Sequence, residues 1–214
     1  MNDAPSILLP PAYLAPINYY ACLLHFHVEI EQFANYSRRT YFNRCRIATA
    51  NGAIDLSIPV EKMADKTLVR DVRISDDNNW QITHWRAIES AYSSSPFFEF
   101  YQDDLRPFYT KKYLFLFDFD RELQQTILNL IGLPYDITYS VDYKKNVESG
   151  IIDSREMIHP KENNVTLQKY FNLIQYYQVF EQKHGFLPGL SIIDLLFNMG
   201  NETRLILGNS LKTI

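Results

Sequence analysis

Four arginines, Arg38, Arg39, Arg44 and Arg46, fall within nine residues, and no acid lies between Glu31 and Asp55. Tyr36, Tyr41 and Asn43 are interleaved with them. Guanidinium groups hold phosphate and carboxylate bidentately. Neighbouring aromatic rings offer a stacking face for a base or a sugar. The segment reads as a site for a small anionic ligand, a nucleotide-activated sugar or a sugar phosphate. The competing reading is a solvated basic hairpin. Two residues could do acid–base chemistry. Glu31, followed by Gln32, lies just past an expected strand, where open α/β sheets bind ligands. It could act as a base or bind a sugar hydroxyl, or pair structurally with one of the arginines. His84, flanked by Trp85 and Arg86, has an ordinary pKa suited to proton transfer. It also lies on the apolar stripe of its own helix, where a histidine serves the core. Tyr13 is expected to reach the same edge as Glu31 and to stack on the ligand together with Tyr41.

Other reactive residue types carry less. Cys45 sits between two arginines, a setting that lowers a thiol pKa, but strand alternation turns it away from them. His25 and His27 have no third ligand in register, so no metal site is expected. Ser191-Ile192-Ile193-Asp194 has the form of a capping box. None of the seven glycines builds a GxGxxG or GxxxxGK loop, so no dinucleotide or other cofactor is expected. Any phosphate would be held by side chains.

The chain that must position these groups has 214 residues, 46% hydrophobic and 21% charged. That suits one globular domain spanning 1–214 and excludes disorder, collagen and coiled coil. The 15 Tyr, 14 Phe and 2 Trp supply both core and a candidate pocket. The formal net charge of −4 argues against nucleic acid as partner. No segment approaches the ~18 apolar residues of a membrane span. The N-terminus lacks a signal h-region, and two cysteines build no disulfide framework. These features lead us to expect a cytoplasmic protein of undetermined oligomeric state.

Ser6–Leu9 reads as a strand stopped by Pro10-Pro11. Ile17, Tyr20, Ala21 and Leu24 then mark a helix, and Val28 and Ile30 a second strand. This is a β-α-β opening. Asn51-Gly52 predicts a hairpin turn, with Arg44 and Arg46 on one face of its first strand. Residues 68–74 read as a further strand, with Val72 and Ile74 inward. Trp80, His84, Ile88 and Ala91 make a helical stripe, and Ser95-Pro96 opens a second helix towards Leu105. Leu123, Ile127 and Ile131 mark a third, with Asp118 and Asp120 as first-turn charges and Gly132 as its cap. A late strand is expected in 137–141 and a mobile loop over 142–165. A helical C-terminal piece, 166–214, includes Tyr170 to Tyr177 at helical spacing and a helix capped by Ser191. The fold class is α/β: a single domain with a mixed sheet, β-α-β start, antiparallel hairpin and helical middle.

Tyr13-Leu14-Ala15-Pro16 after the first strand and Ile30-Glu31-Gln32 after the second resemble WbqC-like proteins. So do Asn43-Arg44-Cys45-Arg46-Ile47, Ile58-Pro59-Val60, and His84-Trp85-Arg86 followed by Glu89-Ser90-Ala91-Tyr92. Leu190-Ser191-Ile192-Ile193-Asp194-Leu195-Leu196-Phe197-Asn198 completes the resemblance. Two positions depart from it: Pro10-Pro11 stands where Gln-Pro is common, and Glu31-Gln32 where an acidic pair is common. The resemblance implies a bacterial cytoplasmic protein associated with O-antigen and other surface polysaccharides such as lipopolysaccharide. It further implies a transferase moving an acyl or aminoacyl group onto an amino sugar of a nucleotide-sugar. On this reading Glu31 or His84 is the base. Tyr13, Gln32, Arg38, Arg39, Tyr41, Asn43, Arg44, Arg46, Trp85 and Tyr92 bind the ligand. The alternative is a non-catalytic binding or scaffolding protein of a polysaccharide assembly complex, its aromatic surplus forming an exposed patch.

Overall fold

The first strand, β1 (Ser6–Leu9), stops where Pro10 and Pro11 remove ladder donors. A computed structural model describes residues 5–134, 136–156 and 170–212. The chain crosses through α1 (Ile17–His25) into β2 (His27–Ile30), which lies parallel to β1. β3 (Arg44–Thr49) and β4 (Gly52–Ser57) form the antiparallel hairpin. Three helices follow: α2 (Trp80–Tyr92), α3 (Phe98–Leu105) and α4 (Leu116–Ile131). β5 (Ile137–Tyr139) joins the free edge of β2, and β6 (Ile151–Asp153) joins β1. Three helices close the chain: α5 (Glu181–His184), α6 (Ile192–Met199) and α7 (Thr203–Ser210).

The fold is α/β, as expected. The parallel and antiparallel pairings of the anticipated mixed sheet are both present, divided between two sheets: β5-β2-β1-β6, parallel throughout, and the hairpin β3-β4. Side chains alternate across a strand. Ile7, Leu9, Val28 and Ile30 therefore share one buried face, and Ser6, His27 and Glu29 share the other. Helix α4 packs on the buried face, with the Phe117 ring edge-on to Tyr139 of β5. The largest fully buried side chains include Tyr13, Tyr19, Tyr20, Tyr92, Phe119 and Phe197. Much of the aromatic surplus is therefore core.

Several elements differ from expectation. Thr49 pairs with Gly52, so Ala50 and Asn51 are the central residues of the hairpin turn. Gly52 alone takes positive φ, at 104°, the form of a turn followed by a left-handed residue. Residues 68–74 make a 3₁₀ turn at Val69–Asp71 and isolated bridges. Val72 and Ile74 do point inward. Helix α3 starts at Phe98, and the buried Ser95 hydroxyl caps nothing. Residues 171–178 are not helical; Phe171 bridges Leu211 instead. The segment expected to be a loop contains β6, an edge strand of the sheet held by its ladder with β1. Residues 157–165 of that segment lie outside the described residues. Asp120 is no surface charge of α4: it is buried.

Candidate functional site

All four parallel strands present their carboxyl ends to one edge, and Glu31 ties that edge together. The residue follows β2 and is 0% exposed. Its Oε1 accepts hydrogen bonds from Phe33 N (2.9 Å) and Ser140 Oγ (2.7 Å). Its Oε2 accepts from Lys144 N (2.9 Å) and pairs with the Arg155 guanidinium at 3.6 Å. Gln32 supports the same knot, donating from its backbone to Ser140 Oγ and from Nε2 to Ser140 O. Ser140 follows β5 and Arg155 follows β6, so one carboxylate couples three strand ends. Arg155 also forks onto Asp153, at 2.9 and 2.7 Å. Both oxygens of Glu31 are thus engaged. It is an anchor here rather than a free base, and its arginine partner comes from outside the 38–46 cluster.

Beside this knot lies a narrow cleft with room for about one water molecule. Pro11 and Ala12 of the loop after β1 line it, as do Ile30 and Tyr139 at the ends of β2 and β5. Helix α4 contributes Phe117, Asp120, Arg121 and Gln124. Asp120 is 4% exposed, and its buried Oδ1 has no hydrogen-bond partner. Burial pushes its carboxyl well above the usual carboxylate range. Gln124 is held by the Tyr19 hydroxyl, which donates to Pro10 O at 2.9 Å. Arg121 is exposed at the rim and lies 3.6 Å from Asp118. Sequence reading missed Asp120, yet a signal existed. Leu116, Asp120, Leu123 and Ile127 fall at i, i+4, i+7 and i+11, which puts a carboxyl on the apolar stripe.

Four candidate site residues, the proposed base His84 and the ligand contacts Tyr13, Trp85 and Tyr92, turn inward instead. The Tyr13 hydroxyl meets His84 Nδ1 at 3.0 Å and the Tyr109 hydroxyl at 2.9 Å. Burial raises the Tyr13 hydroxyl and lowers the His84 pKa to about 4, with a hydrogen bond to the Ser57 backbone opposing. His84 is therefore a neutral imidazole near pH 7, packed edge-on to Trp80. Burial also raises the Cys45 thiol far above its ordinary value, despite its arginine neighbours. Trp85 is buried, with an unpartnered indole N–H. Tyr92 donates to Asp194 Oδ1 at 2.9 Å and accepts from Ala48 N at 3.2 Å. Tyr13, His84 and Tyr92 find hydrogen-bond partners in the interior and Trp85 is buried there, so none of the four lines the cleft.

The arginine cluster divides in two. Arg44 and Arg46 lie across the hairpin from Asp55 and pair with it at 3.3 and 2.8 Å. Asn43 Nδ2 donates to Ile58 O, a structural bond. Tyr41 is buried, which pushes its hydroxyl up to about 12 despite Arg46. Arg38 and Arg39 are exposed on the loop between β2 and β3. They have no ion-pair partner among the described residues. Arg39 takes φ +65°, a left-handed conformation that is uncommon for a residue with a side chain. Tyr36 lies on the same loop. It is half-buried against Phe42, and burial raises its hydroxyl, with Arg38 and Arg44 opposing and Asp120 adding to the rise. The carboxyl edge thus gathers Glu31, Gln32 and Asp120, and the loop with Tyr36, Arg38 and Arg39 leaves it. Among the described residues no cluster of three or more His, Cys, Asp or Glu could hold a metal ion. No described helix is long and apolar enough to cross a membrane.

Residues 11–158 and 152–206 match the WbqC-like protein family. The chain belongs to that family. An uncharacterized protein of Mycobacterium tuberculosis, Rv1507c, is 28% identical over 188 residues, which cover 78% of this chain and 81% of that protein. No solved structure matches. The WbqC-like match takes in Glu31, Asp120, Ser140 and Arg155, and so extends over the whole carboxyl edge. It also covers α6 with Asp194.

Proposed function

We propose that this WbqC-like chain is a cytoplasmic group-transfer enzyme of bacterial surface-polysaccharide assembly. Its ligand would be an anionic, nucleotide-activated or phosphorylated sugar bound at the carboxyl edge of the parallel sheet. One juxtaposition carries the reading. Two exposed arginines, without ion-pair partners among the described residues, sit on the loop that leaves this edge after Glu31 and Gln32. The strand order supports it. In chain order the sheet runs third, second, first, fourth, so the direction reverses between β1 and β6. Open α/β sheets bind ligands outside the carboxyl ends at such a reversal. The crevice beside Asp120 has room for about one water molecule, so the ligand would lie outside it, along the carboxyl edge and within the field of Arg38 and Arg39. In this reading Glu31 and Gln32 are positioning residues that hold the strand ends. His84 stays neutral behind Tyr13 and supports the loop after β1. Arg44 and Arg46 serve the hairpin.

Calorimetric titration with UDP-glucose, UDP and glucose 1-phosphate tests this. Micromolar-to-millimolar binding is expected. Losing two charge-assisted contacts in Arg38→Ala/Arg39→Ala should weaken UDP binding at least about tenfold. Arg44→Ala/Arg46→Ala should leave it within about twofold, because Asp55 already occupies those guanidiniums. Absence of binding by all three compounds, or the reverse ranking of the two variants, would refute the reading.

A further inference from the structure

We propose that the groove on the polar face of the parallel sheet, at the amino ends of its strands, is a binding site for one uncharged sugar ring. The groove holds about 130 Å³. A cavity of roughly 150 Å³ takes benzene, so one six-membered ring fits here, with its substituents reaching the open side. Strand register builds the floor. Ser6 of β1 pairs with His27 of β2 on one side and with Ile151 of β6 on the other. Asp136 directly precedes Ile137, the partner of Val28, and so falls beside His27. Asp136, His27, Ser6 and Ile151 therefore make one row across the sheet, roughly 14 Å long at about 4.8 Å between strands. Glu29 and Thr138, themselves register partners, begin the next row on the same face. All of these residues line the groove, and helix α4 packs on the opposite face.

Most of the polar groups in the groove have capacity left for a ligand. Among the described residues, the side chains of Ser6, His27 and Asp136 make no hydrogen bond or ion pair. Glu29 engages Lys144 through Oε2 and leaves Oε1 free. Thr138 Oγ1 donates to Val28 O at 3.1 Å, so towards a ligand it can only accept. A hydroxyl and a neutral imidazole each offer a donor and an acceptor, whereas a carboxylate only accepts.

That mixture selects the ligand. Sugar hydroxyls both donate and accept. Neighbouring hydroxyls can donate to the Asp136 and Glu29 oxygens through charge-assisted bonds and accept from His27 and Ser6. The half-buried Ile151 side chain offers an apolar wall to ring C–H groups. A phosphate would meet two carboxylates of its own sign. A metal ion is a poorer fit, because no three described His, Cys, Asp or Glu residues converge to hold one. The inference goes beyond the functional reading. The groove lies at the opposite ends of the strands from Glu31 and takes an uncharged ring, so it stands without the nucleotide.

The test follows NMR signals of His27 and Thr138 in the full chain during addition of glucose, galactose, mannose or N-acetylglucosamine. At least one sugar should shift both signals saturably at millimolar concentration. Cyclohexanol, which lacks the neighbouring hydroxyls, should bind at least about tenfold more weakly there than the best sugar. Glucose 1-phosphate should bind more weakly there than glucose. Asp136→Asn and His27→Ala change exposed side chains, so both variants should fold normally, and each should weaken sugar binding at least about fivefold. The ligand comparison in the wild type reads the same site without any substitution. No saturable shift with any of the four sugars would overturn the inference. So would equal binding of cyclohexanol, tighter binding of glucose 1-phosphate than of glucose at these signals, or full affinity in both variants. A parallel UDP titration followed at Arg38 separates the two readings. UDP binding with His27 and Thr138 silent towards every sugar would end this reading alone, and sugar binding without UDP binding would end only the nucleotide reading.

Discussion

Tyr92→Phe discriminates between a ligand contact and a structural tie, and its effect follows from geometry. The Tyr92 hydroxyl is fully buried. It donates to Asp194 Oδ1 at 2.9 Å and accepts from Ala48 N at 3.2 Å, joining α2, β3 and α6. Asp194 Oδ2 takes the Tyr176 hydroxyl at 2.7 Å and Gln178 Nε2 at 3.3 Å. Phe keeps the ring, which packs 5.2 Å from Phe197, and removes only the oxygen. A lost bond to a buried carboxylate costs roughly 1.5–3 kcal/mol, and an orphaned buried N–H roughly 1–3 kcal/mol. The variant should therefore be less stable by about 2.5–6 kcal/mol in urea unfolding, with an unchanged m-value. The pH response gives a second reading. Burial raises Asp194 from 3.8 to about 6, and its three donors act to lower it. A raised carboxyl contributes stability that is present below pH 3.8 and lost as pH rises through 6, about 3 kcal/mol in all. Without the Tyr92 donor the native pKa moves higher still, so the variant should keep losing stability above pH 6. A loss below about 0.5 kcal/mol, or an unchanged pH profile, would refute the assignment of Tyr92 to the core. So would a selective loss of ligand affinity with stability intact.

Three further outcomes follow. His84, held at about 4 by burial, should show a neutral imidazole by NMR down to about pH 5. Its contribution is present above its ordinary 6.5 and lost as pH falls through 4, roughly 3 kcal/mol, opposing Asp194 over the same window. An imidazole titrating near 6.5 would contradict this. Glu31→Gln turns an amide donor towards Lys144 N or Phe33 N, leaving a buried donor without an acceptor. It should cost about 1–3 kcal/mol and speed hydrogen exchange at Ser140 and Lys144. Unaltered exchange there would show that Glu31 does not hold the strand ends. Gly200→Ala places a Cβ 2.6 Å from the Phe97 ring at a backbone φ of +54°. Thermal unfolding should fall by several degrees, since overpacking typically costs about 1–3 kcal/mol. An unchanged midpoint would show that the Phe97 ring gives way freely.

Local signals carried the elements whose causes are local. Pro10-Pro11 ends β1 because proline has no N–H to donate. The apolar spacing of residues 17–24 makes α1, and Gly132, at φ +72°, closes α4. The hairpin was legible from Asn51-Gly52, although the turn sits one residue earlier because Gly52 alone takes positive φ. What failed were segments decided by distant partners. Ile151-Ile152-Asp153 is too short to show a period, and it becomes a strand only because β1, some 145 positions earlier, offers it a free ladder. Residues 68–74 have strand-like alternation at Val72 and Ile74, but their neighbours provide only single bridges.

The site divides along the same line. Residue types alone determined that this chain concentrates arginine and aromatic side chains near its first two strands, and that it lacks a glycine loop for phosphate. They read Asp120 only as a first-turn charge of α4. Tertiary structure decided which of these groups meet solvent. Asp55 across the hairpin occupies Arg44 and Arg46, while no described acid reaches Arg38 and Arg39. Arg155, rather than any neighbour in sequence, completes Glu31. The interior absorbs Tyr13, His84, Trp85 and Tyr92, and for three of them it supplies hydrogen-bond partners that composition cannot reveal. A charge or a hydroxyl is available for chemistry only when folding leaves it without a partner, and partners as far apart as Glu31 and Arg155, 124 positions, are set by the packing of the whole chain.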